Sequence, residues 1–343
     1  MMKSITLTEP GHFELMDRSV PPPPSRDEVQ VRVYRIGICG TDLHAFTGTQ
    51  PFFRYPRILG HELALEVLDI GDTTLDHSLQ VGDRCCVRPY LNCGKCSACL
   101  RGLDNCCLNM QVLGVHRDGG MQEIINVPID KIHHSALLSD DQLALIEMLS
   151  IGAHAVRRAD MTSGEVVLVI GMGPIGLGVA QFARLAGAQV IVADISDARL
   201  AFAKEQNGIS HCLDSRQSIV EQLNVLTDGD LPNVVFDATG NASSMMESFN
   251  YVAHGGKIVF VGLVQGNISF HDPEFHKREL SVLASRNATA KDFNQVISAL
   301  ENRHLDVKSW ITHHATPEQM IEQFPTWLDP ASGAIKVMVN FSN

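Results

Sequence analysis

The sequence has no excess of positive charge: 27 Lys and Arg stand against 39 Asp and Glu, a formal net charge of −12. A chain so charged repels phosphate backbones and anionic lipid surfaces, which argues against nucleic acid or a membrane as partner. It also lacks an uninterrupted apolar run. The most apolar stretch, Val166 to Ala193, is broken by Gln181, Arg184 and repeated glycines and cannot be a spanning helix. The opening MMKSITLTEPGHFELMDRS lacks the apolar segment of a secretory signal, so a cytoplasmic protein is expected. Internal repeats and low-complexity segments are absent too. What is present is 343 residues, 45% hydrophobic and 19% charged, enough for two domains with cores of their own. Nine cysteines in so long a chain without a signal, five of them between Cys93 and Cys107, point to metal binding rather than disulfides.

The first third reads as short strands at Ser4–Leu7, Glu28–Arg35, Leu63–Ile70, Asp83–Pro89 and Gln122–Val127, separated by turn signals and by a stiff Pro21–Pro24 connector. That texture predicts an irregular, barrel-like β domain. From Val166 onward, apolar strands (Val166–Ile170, Val190–Ala193, Val234–Ala238, Lys257–Gly262, Ser281–Ala284) alternate with helical stretches at Ile175–Ala186 and Ala198–Gln206, which predicts a parallel α/β sheet. The tail adds helices near Phe293–Glu301 and Pro317–Phe324 and a last strand, Ala334–Asn340.

The sharpest chemical signal is Cys93, Cys96, Cys99 and Cys107 in NCGKCSACLRGLDNCC, with Gly94 and Gly102 easing the bends. Four thiolates so close in sequence can close a tetrahedral shell around Zn²⁺. Cys106 competes with its neighbour, but the spacing favours Cys107. No open position or base accompanies the lobe, so its zinc would be structural. A second set is dispersed: GICGTDLH supplies Cys39, Thr41, Asp42 and His44, LGHE supplies His61 and Glu62, and LALIEM supplies Glu147. Thiolate, imidazole and carboxylate are the donors of a catalytic zinc that keeps a position for water or substrate.

VVLVIGMGPIGLG places Gly171, Gly173 and Gly176 in G-x-G-x-x-G spacing between a strand and a helix that starts near Pro174-Ile175. The first glycine allows the turn, the second admits a pyrophosphate and the third lets helix pack on strand. The next strand ends in Asp194, a carboxylate suited to the ribose hydroxyls of NAD and hostile to the 2′-phosphate of NADP. Arg199 is the kind of residue that serves such a phosphate, but Asp194 would have to give way first.

On these motifs the chain resembles the zinc-dependent medium-chain alcohol dehydrogenases, in particular their polyol and sugar-acid branch, over nearly its whole length. The resemblance implies an α/β protein with an irregular β-barrel-like, GroES-like catalytic domain and a Rossmann dinucleotide domain inserted before its last segment. The expected boundaries are residues 1–149 with 286–343 for the zinc-bearing domain and 150–285 for the NAD domain. It implies two zincs per chain and NAD. Cys39, His61 and Glu62 would be ligands of the catalytic zinc, with Glu147 binding the metal or its water. Thr41 would take the alcohol proton, His44 would relay it to solvent and Asp42 would orient a ligand. His133, His134, His313 and His314 are expected at the surface.

The chain departs from the family pattern at Leu65, where glycine is usual, at Glu147-Met148, where Glu-Pro is usual, and at Ser285–Thr289, where Arg286-Asn287 replaces Arg-Tyr. The last change suggests that Arg286 and Asn287, with Arg54 on the loop before His61, read a substrate carboxylate. The implied reaction is hydride transfer between NAD and a secondary alcohol of a sugar acid of the L-galactonate or L-idonate type. A sorbitol-like polyol is the alternative substrate, and a non-catalytic zinc- and NAD-binding regulator is a remote one. A homodimer or homotetramer joined near Lys257 to Ile268 is expected.

Overall fold

The computed structural model describes residues 1–51 and 53–341. The chain divides into two compact units, Met1–Met148 with Ala288–Asn343, and Leu149–Asn287. The sequence-based boundaries differ by one residue on one side and two on the other, and the second difference matters because it moves Arg286 and Asn287 into the nucleotide unit. Backbone pairing runs past the strand Ser281–Ala284, with Ser285 N–H donating to Phe260 O. The chain turns only at Asn287, whose φ is 54°, and Thr289 then caps the helix Ala290–Glu301.

The nucleotide unit is a six-stranded parallel sheet in the order His211–Asp214, Gln189–Asp194, Val166–Ile170, Val234–Asp237, Lys257–Phe260 and Ser281–Ala284. The central strands are unbroken apolar runs because both faces are covered; Leu168, Val169, Val235 and Phe236 are fully buried. The chain order reverses direction beside Val166–Ile170, the switch point at which ligands bind such sheets.

The other unit is built on a seven-stranded sheet in which Ile311–Ala315, Lys336–Asn340, Glu28–Ile38, Glu62–Ile70, Arg84–Val87 and Ile132–His134 lie side by side and Ile124–Pro128 pairs with Glu28–Ile38. The last strand therefore enters the sheet next to one of the first, antiparallel to it, with Met338 opposite Gly37. A hairpin, Met2–Glu9 with His12–Arg18, sits beside the sheet; its second strand escaped sequence reading because Glu14 and Asp17 interrupt the apolar alternation. The Pro21–Pro24 connector is tied down: Gln30 Nε2 donates to Pro22 O at 3.1 Å and Asn126 Nδ2 to the same oxygen at 3.0 Å. His133 corrects the expected surface placement: its ring stacks on Phe293 at 5.0 Å, and burial pushes its pKa down to about 4. Among the described residues, no helix is long and apolar enough to cross a membrane.

Phe13, Phe46 and Phe324 close the core where the hairpin, the Gly40–Phe46 helix and the C-terminal segment meet, with ring centroids 4.9–5.4 Å apart. Phe324 is fully buried. Phe324→Ala should lower unfolding free energy by about 3–5 kcal/mol, measured by denaturant titration; a loss below about 1 kcal/mol would show that the C-terminal segment does not hold this core together.

Candidate active site

The strand Glu28–Ile38 ends at Cys39, where the chain bends into the short helix Gly40–Phe46. Asp42 closes that helix start: its Oδ2 accepts from the Cys39 backbone N–H at 2.9 Å, which fixes the sulfur-bearing residue at the junction. Its other oxygen, Oδ1, lies 3.8 Å from His61 Nδ1, and both atoms are buried without a hydrogen-bond partner. Burial raises the Asp42 carboxyl above its ordinary range against the pull of His61. A carboxylate facing one ring nitrogen of a histidine orients the other toward a metal.

Glu62 follows His61 and is fully buried. Both of its oxygens accept from Lys336 Nζ at 2.7 Å, and the same ammonium donates to Ile38 O at 3.0 Å. Burial alone would lower the Lys336 pKa, but the Glu62 carboxylate holds it above the ordinary lysine value. The pair reaches across Gly37, where an added methyl carbon would stand 2.1 Å from Glu62 Oε2.

Cys39, His61 and Glu62 offer ligand atoms that all lie within 4.8 Å of one another. The set of one thiol, one imidazole and one carboxylate fits zinc, and a carboxylate keeps lone pairs beyond those engaged by Lys336. Glu147 lies outside this trio. It sits on the helix Asp140–Ala159, and its Oε1 accepts the hydroxyl of Tyr90, which is itself 3% exposed. Burial raises the Glu147 carboxyl while His61 draws it down. Thr41 is half-buried in the first turn after Cys39, whereas His44 and Arg54 are exposed. In the other unit, Arg286 is exposed and Asn287 half-buried.

The second cysteine group closes on itself. The sulfurs of Cys93, Cys96, Cys99 and Cys107 lie within 4.8 Å of one another, all free, while Cys106 points to solvent outside the group. Cys96 and Cys99 sulfurs are 3.5 Å apart, well beyond a disulfide bond. Backbone N–H groups of Cys93 and Asn109 aim at Cys107 Sγ at 3.2 and 3.3 Å, and Asn92 Nδ2 aims at Cys99 Sγ at 3.6 Å, the donors a thiolate cluster requires. The Cys99 backbone N–H holds the Cys96 thiol down to about 6, whereas burial pushes Cys107 up to about 11. Four convergent sulfurs with N–H donors fit a structural zinc.

In the nucleotide loop the three glycines have separate reasons. Gly171 adopts φ 92°, a left-handed turn. A methyl at Gly176 would sit 1.7 Å from Gly171 O, so the helix Pro174–Leu185 packs on its strand only with glycine there. A methyl at Gly173 would meet nothing within 4 Å, and that open cradle at a helix N-terminus fits a pyrophosphate. Pro174 and Ile175 open the helix. Asp194 is buried, with Oδ2 accepting from Met172 N–H at 2.6 Å and Oδ1 from Ser196 N–H at 2.8 Å, and Arg199 Nη1 lies 4.0 Å away. The carboxylate thus shapes the glycine loop.

Sequence reading missed Lys336, Tyr90 and Gly37. The signal for Lys336 was a lone charge in the otherwise apolar strand KVMVN; Tyr90 carried none.

A dinucleotide fold joined in one chain to a thiolate, imidazole and carboxylate site is the make-up of an oxidoreductase. Residues 25–136 match the alcohol dehydrogenase GroES-like domain, and residues 174–302 match the zinc-binding dehydrogenase family. The chain is 41% identical to L-galactonate-5-dehydrogenase of Escherichia coli K12 over 91% of each protein, and 32% identical to a sorbitol dehydrogenase of Halalkalibacterium halodurans over 92% of this chain and 93% of that one. A crystal structure described as a short chain alcohol dehydrogenase from Escherichia coli CFT073, complexed with NADH, superposes with a TM-score of 0.91 at 30% identity over 99% of both chains. The chain belongs to the zinc-type medium-chain alcohol dehydrogenase family.

The two glycines separate fold from binding. Gly176→Ala should lower the melting temperature or prevent folding, whereas Gly173→Ala should melt like the parent and bind NADH about tenfold more weakly or worse, by fluorescence titration. Equal NADH affinity in Gly173→Ala would mean that the open cradle is not where the pyrophosphate lies.

Proposed function

We propose that this enzyme transfers a hydride between a secondary alcohol of a sugar acid, of the L-galactonate or L-idonate type, and NAD. The observation that carries the reading is the convergence of Cys39, His61 and Glu62 within 4.8 Å beside Asp42. The L-galactonate-5-dehydrogenase likeness supports a sugar acid, and the sorbitol dehydrogenase likeness supports a neutral polyol as the second reading. Asp194, buried at the end of its strand, supports NAD over NADP.

Cys39, His61 and Glu62 would hold one zinc, with Glu147 as a further donor to the metal or its water, and Cys93, Cys96, Cys99 and Cys107 a second. When bound, the catalytic metal supplies Lewis acidity toward a hydroxyl or carbonyl oxygen. The chain's own residues then have separate tasks. Asp42 faces the imidazole of His61 at Nδ1 and favours its charged or metal-bound orientation. Thr41 Oγ1 accepts the alcohol proton as it hands its own to a neighbour, and exposed His44 passes a proton to water. Arg286, with Asn287 next to it in the chain, reads a carboxylate, for which a guanidinium has a matching pair of donors. A homo-oligomer is in keeping with the edge strand Ser281–Ala284, where Val282 is 38% exposed.

For the substrate, kcat/KM for L-galactonate should exceed that for galactitol, and Arg286→Gln should cost about 1.5–3 kcal/mol on the acid and much less on the alditol. Equal losses on both, or a wild type that prefers sorbitol, would return the enzyme to the polyol class. For the metals, elemental analysis should find two zincs per chain. Cys39→Ser should lose one zinc and activity while staying folded, and Cys93→Ser should lose the other together with thermal stability. Fully active wild type with a single zinc would refute the two-site assignment.

A further inference from the structure

Tyr90 connects the neighbourhood of the cysteine lobe to the dispersed donor set through Glu147. It lies on the short strand Tyr90–Leu91, paired with Gln111–Val112, and the lobe begins three residues later at Cys93. Its hydroxyl is buried and donates to Glu147 Oε1. The segment between is firmly held: Lys131 Nζ donates to Asn92 Oδ1 at 2.7 Å, which turns the Asn92 amide nitrogen toward Cys99 Sγ at 3.6 Å. Val112, opposite Tyr90 in the pair, has its N–H bonded to His116 Nδ1 at 3.1 Å.

We infer that Tyr90 is a positioning residue: its hydroxyl commits one oxygen of Glu147 and so sets how that carboxylate is presented to the catalytic metal, while the cysteine lobe anchors the strand on which Tyr90 stands. The inference rests on the zinc reading above. A carboxylate held at one oxygen by a buried hydroxyl has lost much of its rotational freedom, and partners of this kind tune metal affinity. The lobe then has a task beyond its own stability, which is to keep the tyrosine hydroxyl at a fixed distance from the helix Asp140–Ala159. The alternative is that Tyr90 is merely a buried hydroxyl whose hydrogen bond happens to be satisfied by the nearest carboxylate.

Cobalt(II) substituted for zinc distinguishes the two. The catalytic-site cobalt is defined as the visible absorption that Cys39→Ser abolishes, and its retention is measured against a competing chelator. Tyr90→Phe should keep the parent melting curve, shift that absorption band and lower cobalt retention by about 10–100-fold. In a Glu147→Gln background, where the acceptor charge is already gone, Tyr90→Phe should change retention by less than about twofold, because residues that act through one another are not additive. If Tyr90→Phe does not fold, Tyr90→3-fluorotyrosine keeps the ring and the bond while altering the donor strength of the hydroxyl, and should shift the same band; an unshifted band overturns the inference. An unshifted band with parent-like retention in Tyr90→Phe, or an equal loss in both backgrounds, overturns the inference while leaving the zinc reading intact. Failure of the parent protein to take up any cobalt that depends on Cys39 overturns the zinc reading itself.

Discussion

The ion pair between Lys336 and Glu62 is the interaction on which the unit built around the seven-stranded sheet depends. Its partners are 274 residues apart, and both are buried almost completely. Removing one member of such a pair leaves an uncompensated charge in the interior and costs about 3–5 kcal/mol, so the final strand cannot leave the sheet without a large penalty. The pair also decides local sequence. It crosses the strand Glu28–Ile38 at Gly37, and any side chain there would occupy the place of the Glu62 carboxylate. The same glycine precedes Ile38 and Cys39, so the backbone that lets the ion pair form also delivers the first sulfur of the site.

This arrangement explains why the polypeptide returns to its first unit after completing the nucleotide sheet. A C-terminal strand supplying only apolar residues would extend the core, but it would leave Glu62 as a buried anion with no cation. Lys336 neutralises it before any metal does. Asp42 has the corresponding task for His61: it closes the helix start at Cys39 with one oxygen and faces Nδ1 with the other. Two of the three donors are therefore flanked by Asp42, which caps the helix start at Cys39 and faces His61 Nδ1, and the third, Glu62, is paired with Lys336.

The cysteine lobe follows the opposite logic. Its four sulfurs come from fifteen consecutive residues, from Cys93 to Cys107, and their N–H donors come from that segment and its immediate flanks, Asn92 and Asn109. Arg88, 4% exposed, joins the lobe to the rest of the unit through Asp104 at 2.7 Å. Such a local closed site can be read from spacing because chain geometry over a few residues leaves little choice of partner. The dispersed site has no such property.

That contrast marks what the sequence determined by itself. The alternation of apolar strands and helices after Val166, the glycine spacing of the nucleotide loop and the cysteine lobe are local patterns, governed by periodicity and by turns of a few residues, and they were enough for the fold class and for the expectation of a dinucleotide cofactor. The identity of Cys39, His61 and Glu62 as a group came from resemblance rather than spacing. The tertiary structure decided what holds them: Lys336 pairs with Glu62, Tyr90 takes an oxygen of Glu147, and Arg286 with Asn287 lies on the nucleotide side of the unit boundary. These depend on which strands become neighbours across long stretches of chain, and a buried lysine in an apolar strand is legible only once its partner is in view. The physical reason is that a charge can be buried only against its complement, and which complement is within reach is a property of the folded sheet.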